Sequence, residues 1–292
     1  GWDGTRIGFD REGPGGWRNL LEQASDRPAT NEVLGLDHAF MLLYTSGTTG
    51  RPKGAVITHR NVVFNAVATC TSWGLGPGDV TLVHSPLFHT GGWHVLLTPL
   101  LHRGARVLLA ERFDPAASLR AVGAHRLTVL FAVPTQYQMM LQSDAIGEAD
   151  LSSLRFCVAG GSDCPHTLIE AWQERGVRFK QGYGLTEAGP NCFVLPDDQA
   201  VARAGSVGIP VLHLDARVVA EEGDEAAPDQ VGELRLRGPA VCAGYWQRPE
   251  ATAAAFDPQG WLRTGDLFRC DPDGYFHVVG RLKEMFISGG EN

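Results

Sequence analysis

The chain has 292 residues, 43% hydrophobic and 20% charged, enough apolar material to bury a substantial core in one large domain or two ordinary ones. Its 25 Lys and Arg against 33 Asp and Glu leave a net charge of −8 with no basic block, which argues against a nucleic-acid surface built on clustered cations. No apolar run reaches the roughly 18–20 residues of a membrane span, and six cysteines without a CxxC pair point to reduced thiols in a cytoplasmic setting, not a disulfide frame or zinc site.

Residues 1–37 begin Gly-rich and polar and read as an N-terminal remnant or connector, with a short helix over residues 17–24. The start at Gly1 and the stop at Asn292 read as those of a fragment, so targeting signals can lie outside it. Residues 39–44 and 55–58 are expected strands flanking a Gly-rich loop. Thr58 is an expected helix cap, the helix running to about Cys70 with Val62, Val63, Ala66 and Val67 on one face. Residues 80–84, 106–110, 128–133, 154–159 and 177–180 have the look of strands buried on both faces. Helices are expected between them at 95–101, 114–125 and 165–175, Asp114 and Pro115 forming a cap followed by a ring that needs no donor. This alternation predicts an α/β class: a layered body with a largely parallel sheet over residues 38–204. Beyond about Gly205 the strands expected at 216–220, 233–237 and 275–279 are separated by turn-rich segments, with a short helix at 249–256. Residues 205–280 therefore read as a smaller, β-rich, barrel-like subdomain, and the acidic run 221–225 as a solvated hairpin tip.

The most specific segment is Tyr44-Thr45-Ser46-Gly47-Thr48-Thr49-Gly50-Arg51-Pro52-Lys53-Gly54. Glycines let backbone N–H groups converge on an anion, hydroxyls add short donors, and Lys53 adds a mobile charge. ATP phosphates suit such a loop; a solvent loop rich in turn formers is the alternative. It is not a Walker A loop, because Pro52 precedes Lys53 and Gly54 follows it. Further on, Gly182-Tyr183-Gly184-Leu185-Thr186-Glu187-Ala188-Gly189 gathers an aromatic face, a hydroxyl and a carboxylate in a Gly-framed turn. Tyr183 can stack on a purine, Thr186 can reach a phosphate, and Glu187 can hold Mg²⁺, which prefers carboxylate oxygen. Asp266, after Thr264-Gly265, has the chemistry of a ribose binder, and Gly160-Gly161-Ser162 follows a strand end, where α/β sheets bind ligands. Trp93, Tyr137 and Met140 can line an acyl tunnel, although aromatics and Met at such spacing are usually core. His84 and His94 read as structural.

These strings, in this order, resemble the motifs of the adenylate-forming superfamily: acyl-CoA synthetases, aryl-CoA ligases, luciferase-type enzymes and peptide-synthetase adenylation domains. The resemblance covers residues 39–292 and implies further chain at both ends, including a C-terminal lid whose lysine bridges carboxylate and phosphate; no residue here takes that role. It implies that Thr45, Ser46, Gly47, Thr48, Thr49, Gly50 and Lys53 bind phosphate. Gly160, Gly161 and Ser162 would line the adenine, Gly182, Tyr183, Gly184 and Thr186 would complete the nucleotide site, and Asp266 and Arg281 would hold the ribose. Glu187 would be the metal residue, and Lys53, Thr186, Glu187 and His89 the catalytic set. His89, within Pro86-Leu87-Phe88-His89-Thr90-Gly91-Gly92, would approach the carboxylate and share the acyl pocket with Trp93 and Tyr137. Lys283 matches the hinge, making residues 281–292 the link to a further domain.

The implied activity is ATP- and Mg²⁺-dependent activation of a carboxylic acid to acyl-AMP, then thioester formation with coenzyme A. The ending Gly289-Gly290-Glu291-Asn292 resembles fatty-acyl and malonyl-type synthetases, so the resemblance implies a fatty acid as the expected substrate type. The expected partners are the acid and coenzyme A, with no nucleic acid; oligomeric state stays open. Alternatives are luciferase-like oxidation, carrier-protein loading and a non-catalytic module that binds nucleotide or acyl-adenylate.

Overall fold

The computed structural model describes residues 17–25, 33–45, 52–162 and 164–282. Two compact units divide the chain, residues 1–35 and 36–292. The first holds helix α1 (Trp17–Gln23), close to its expected place. Everything that follows belongs to the second.

Strands β1 (Ala39–Thr45) and β2 (Lys53–Thr58) form an antiparallel hairpin with Thr45 opposite Lys53. Thr58 then caps helix α2 (His59–Trp73). Its Oγ1 accepts from the Asn61 backbone N at 3.3 Å, and Asn61 Oδ1 accepts from the Thr58 backbone N at 2.7 Å, a reciprocal capping box. Gly74, at φ 62°, ends the helix in the left-handed conformation that glycine adopts without a Cβ clash.

The buried face of α2 differs from the expected one. Val63 is exposed, and Asn61, Asn65 and Thr69 are buried beside Ala66, Ala68 and Cys70. The helix packs against irregular backbone whose carbonyls need donors. Asn61 Nδ2 donates to Pro239 O at 3.0 Å and Val241 O at 2.7 Å, and Asn65 Nδ2 donates to His94 O at 2.8 Å. Asn191 Nδ2 completes the network on Thr69 Oγ1 and Val95 O, both at 2.9 Å. Valines on that face would leave these buried carbonyls unpaired, at a cost of about 1–3 kcal/mol each.

Two parallel sheets follow. One pairs β3 (Val80–Val83) with β4 (Arg106–Leu109); the other is ordered β5 (Val129–Ala132), β6 (Phe156–Ala159), β7 (Phe179–Gln181). Their edges meet where the Thr128 N–H donates to Val80 O at 2.9 Å. β6 is buried along its whole length, whereas β4, at an edge, exposes Arg106 and Leu109, contrary to the expectation of two covered faces. The connecting segment between β3 and β4 is two helices, not one: α3 (Thr90–His94) and α4 (Leu97–His102). Helices α5 (Pro115–His125), α6 (Pro134–Leu141) and α7 (His166–Gln173) cross between the later strands. Asp114 Oδ1 caps α5 from the Ala117 N–H at 2.6 Å, with Pro115 at the first turn, as the sequence indicates.

After β8 (Phe193–Val194) and β9 (Ile209–Pro210), strands β10 (Asp215–Val219), β11 (Gly232–Arg237), β12 (Leu262–Cys270) and β13 (Phe276–Arg281) form an antiparallel meander in chain order. Helix α8 (Pro249–Ala255) precedes β12. β12 is longer than its neighbours and was not foreseen, because Thr264-Gly265-Asp266 interrupts its apolar alternation. The Glu221–Glu225 run is exposed between β10 and β11, as expected of a tip. The meander shares its core with the α/β body: Phe193 stacks on Phe268 at 6.0 Å, in one cluster with Ala68 of α2 and with Ala188 and Cys192. Among the described residues, no helix is long and apolar enough to cross a membrane.

Candidate active site

The β1–β2 hairpin delivers the first groups. Thr45 closes β1, Lys53 opens β2, and segment 242–246 lies along the outer edge of β2. Val56 N donates to Gly244 O at 2.8 Å and Trp246 N to Gly54 O at 2.8 Å. Gly244 has φ 121°, and a Cβ there would meet Thr252 Cγ2 at 2.5 Å, so only glycine carries the chain through this turn. The next residue, Tyr245, is thereby placed under Lys53, with Nζ 5.2 Å from the ring centroid, within cation–π range.

Glu187 arrives from the turn between β7 and β8. Its carbonyl accepts from Cys242 N at 2.7 Å, and its Oε1 accepts from the Tyr245 hydroxyl at 2.8 Å; Thr45 Oγ1 lies 3.5 Å from the same oxygen. Three expected site residues, Thr45, Lys53 and Glu187, thus meet around Tyr245, which the sequence reading missed. The available signal was the Gly244-Tyr245-Trp246 string, a glycine-led aromatic pair. Burial, then the Glu187 charge and hydrogen bond, push the Tyr245 phenol upward, so it stays a donor.

The turn carrying Thr186 and Glu187 is built by close backbone approach. Gly182 N donates to Ala159 O at 2.7 Å, next to the carboxyl end of β6. A Cβ on Gly184 would lie 2.1 Å from the Pro190 carbonyl carbon. Leu185 N reaches Gly189 O at 3.2 Å, closing the turn around Thr186 and Glu187. Tyr183 packs edge-on to Phe268 at 4.8 Å and donates its hydroxyl to Asp266 Oδ2 at 2.5 Å. Burial, then the Asp266 charge, raise its phenol well above the usual range. Asp266 Oδ1 lies 3.1 Å from Arg281 Nε, its cross-strand partner in the β12–β13 ladder. The expected ribose pair is therefore together, with Arg281 63% exposed and Asp266 10% exposed at the side chain.

Gly160 and Gly161 lie past the end of β6, Gly161 at φ 88° and Ser162 exposed beside it. A Cβ on Gly160 would touch Phe131 Cε2 at 3.4 Å, and one on Gly91 would touch Phe131 Cε1 at 3.3 Å. The Phe131 ring of β5 therefore wedges between the Gly160 loop and the His89 segment, a second residue the sequence reading passed over. His89 is exposed at the start of α3 and accepts from Gly91 N through Nδ1 at 3.0 Å. In the neutral ring that places the proton on Nε2. Trp93 is partly exposed and sits edge-on to Phe40 at 6.5 Å.

Tyr137 is different. It has no exposed surface, its hydroxyl donates to Leu130 O at 2.8 Å, and its ring packs on Phe179 at 4.6 Å and Trp172 at 5.3 Å. Helix α6 turns it into the main core with Met140, so the expected acyl-pocket role is corrected to a packing role. His84 and His94 are buried, and burial pushes both down to about 4, as suits neutral structural rings. Ser46, Gly47, Thr48, Thr49, Gly50 and Lys283 lie outside the described residues.

Among the described residues no group of three His, Cys, Asp or Glu forms a metal cage. Mg²⁺ does not need one, since it is commonly held by one or two carboxylates with substrate phosphates and water. Glu187 fits that pattern: both contacts above fall on Oε1, Oε2 takes part in neither, and the Thr45 hydroxyl oxygen is adjacent.

A family model described as AMP-binding enzyme matches residues 6–246. The chain belongs to the AMP-binding enzyme family. This is the adenylate-forming superfamily whose motifs the site residues resemble. Within the family, the chain is 44% identical over 272 residues to a feruloyl-CoA synthase of an Amycolatopsis species, covering 93% of this chain and 55% of that protein. It is 39% identical over 293 residues to an indoleacetate–CoA ligase of Aromatoleum aromaticum, covering 99% and 57%. Among solved structures, o-succinylbenzoate coenzyme A synthetase of Bacillus subtilis, in complex with ATP and magnesium ion, superimposes with a TM-score of 0.84 at 32% identity, covering 94% of this chain and 57% of that one. The chain spans little more than half the length of these relatives.

Proposed function

We propose that the full-length protein activates a carboxylic acid with Mg²⁺ and ATP and passes the acyl group to coenzyme A. The observation that carries this reading is the meeting of Thr45, Lys53 and Glu187 around Tyr245, with Tyr183 leading from the same turn to the Asp266–Arg281 pair. In the first step a carboxylate oxygen attacks the α-phosphorus. The bond from that phosphorus to the bridging oxygen breaks, and pyrophosphate leaves with the electron pair. In the second, the coenzyme A sulfur attacks the acyl carbon, the C–O bond to AMP breaks, and the thiol proton passes to solvent.

The chain's side chains position and neutralise; none has to act as a nucleophile. Lys53 offsets phosphate charge at the end of β2. Asp266 accepts from ribose hydroxyls, and Arg281 holds Asp266 from the neighbouring strand. His89, with Nδ1 taken by the Gly91 N–H, offers Nε2–H to the acid carboxylate, and Gly160 and Gly161 allow the adenylate to approach the β6 backbone. Thr186 donates to a phosphate. Magnesium, when bound, neutralises phosphate charge, and Glu187 Oε2 with the Thr45 hydroxyl would hold it. Residues 281–292, with Lys283, serve as the hinge, and the free state of all six cysteines supports a cytoplasmic setting.

For the acid, the relatives named for feruloyl and indoleacetate substrates, together with Phe131 and Trp93 near His89, support an aromatic acid over a fatty acid. The test is mass spectrometry of thioesters formed by the full-length protein with ATP, Mg²⁺ and coenzyme A, offered ferulate, indoleacetate and saturated fatty acids. Aryl-CoA is the expected product. Fatty acyl-CoA alone would overturn the acid class, and no thioester from any acid would overturn the ligase reading.

A further inference from the structure

We propose that Tyr245 is a positioning residue that fixes the Glu187 carboxylate and the Lys53 ammonium for capture of a metal–nucleotide complex. The inference deepens the reading above and rests on it for the identity of the ligand.

Tyr245 is held on several sides. Its backbone pairs with Ala55 of β2, its N–H donates to Thr252 Oγ1 of α8 at 2.9 Å, and Trp246 N binds Gly54 O at 2.8 Å. A side chain so anchored presents two surfaces to the site. Its hydroxyl donates to Glu187 Oε1 at 2.8 Å, and its ring face lies 5.2 Å from Lys53 Nζ. The other contact on Glu187 Oε1, from Thr45 at 3.5 Å, is at the outer limit for a hydrogen bond and does not fix the carboxylate alone. With Oε1 taken by the phenol, Oε2 is turned to a cation, the usual way a neighbouring donor orients a ligating carboxylate. The same ring keeps Lys53 from closing on Glu187 as a simple ion pair, which would consume both charges before substrate arrives.

Tyr245→Phe in the full-length protein keeps the ring under Lys53 and removes only the donor. Manganese replaces magnesium as the probe, its binding with ATP followed by electron paramagnetic resonance in the absence of acid and coenzyme A. Loss of the hydroxyl should weaken Mn²⁺–ATP binding about 10-fold, in the range seen when a group supporting a metal ligand is removed. ATP affinity in EDTA, measured by calorimetry, should stay within about twofold, because the affected group acts through the metal. Added to Glu187→Gln, the Phe change should cost little more, since the two residues act as a unit. Equal weakening with and without metal would reduce Tyr245 to a structural residue, and unchanged Mn²⁺–ATP binding would likewise overturn the proposal. Metal–nucleotide binding is read without turnover. A protein that shows the metal-specific loss but forms no thioester would refute the ligase reading and leave the role of Tyr245 standing.

Discussion

The Tyr183 hydroxyl donates to Asp266 Oδ2 at 2.5 Å across 83 residues of sequence, while Arg281 Nε approaches the other carboxylate oxygen at 3.1 Å. Among the described residues each oxygen therefore has one protein partner and keeps lone-pair capacity for a ribose hydroxyl, so the carboxylate is oriented before ligand binds. Asp266→Ala should raise the ATP dissociation constant about 10- to 100-fold, the range for hydrogen bonds to a charged group. Calorimetry on the full-length protein measures it. An unchanged constant would remove Asp266 from the nucleotide site.

Gly184 gives a backbone test. A Cβ there would lie 2.1 Å from the Pro190 carbonyl carbon and 2.2 Å from its oxygen, and neither can swing aside as a side-chain end does. Gly184→Ala should displace the turn that carries Thr186 and Glu187, lowering adenylation by at least about 100-fold, as misplacement of roughly 1 Å does in a preorganised site. The fold should survive, because the main core lies under β5–β7. Near wild-type exchange activity would show that the turn does not set Glu187.

Buried histidines make stability depend on pH. His84 has no hydrogen-bond partner at either ring nitrogen among the described residues, and burial lowers both His84 and His94 from 6.5 to about 4. Between those values the unfolded chain binds more protons than the folded one. Their contribution is full above pH 6.5 and is lost progressively as pH falls toward 4. His84→Leu, of similar bulk and without unpaired nitrogens, should hold or raise stability at pH 7 by up to about 1–3 kcal/mol and flatten its fall on acidification. Urea unfolding over a pH series checks both. A large loss at pH 7 would mean that the ring serves a partner.

Local signals were the most legible in the sequence. Thr58 and Asp114 cap the helices their chemistry indicates, and the strands flanking the hydroxyl-rich loop lie where the apolar runs place them. Non-local requirements were hidden. The polar stripe Asn61, Asn65 and Thr69 is buried only because distant carbonyls at His94, Pro239 and Val241 or the Asn191 amide meet it, and no periodicity of valines reports that. Tyr137 looked like a tunnel residue because an aromatic on a helix gives no clue to which way the helix faces. Tyr245 and Phe131 touch the site through segments far away in sequence, and their importance appears only when β2, the 242–246 segment and the ends of β5 and β6 are brought together.

The most direct test of the site is acid-dependent ATP–pyrophosphate exchange by the full-length protein, wild type against Glu187→Ala, with ferulate and indoleacetate as first acids. Exchange in the wild type that depends on an added acid, and falls roughly 100- to 1,000-fold without the carboxylate, is the predicted result for loss of a principal charge-stabilising group. A folded wild-type protein that exchanges no pyrophosphate with any acid in the presence of Mg²⁺, or a Glu187→Ala variant that exchanges as well as wild type, would contradict it.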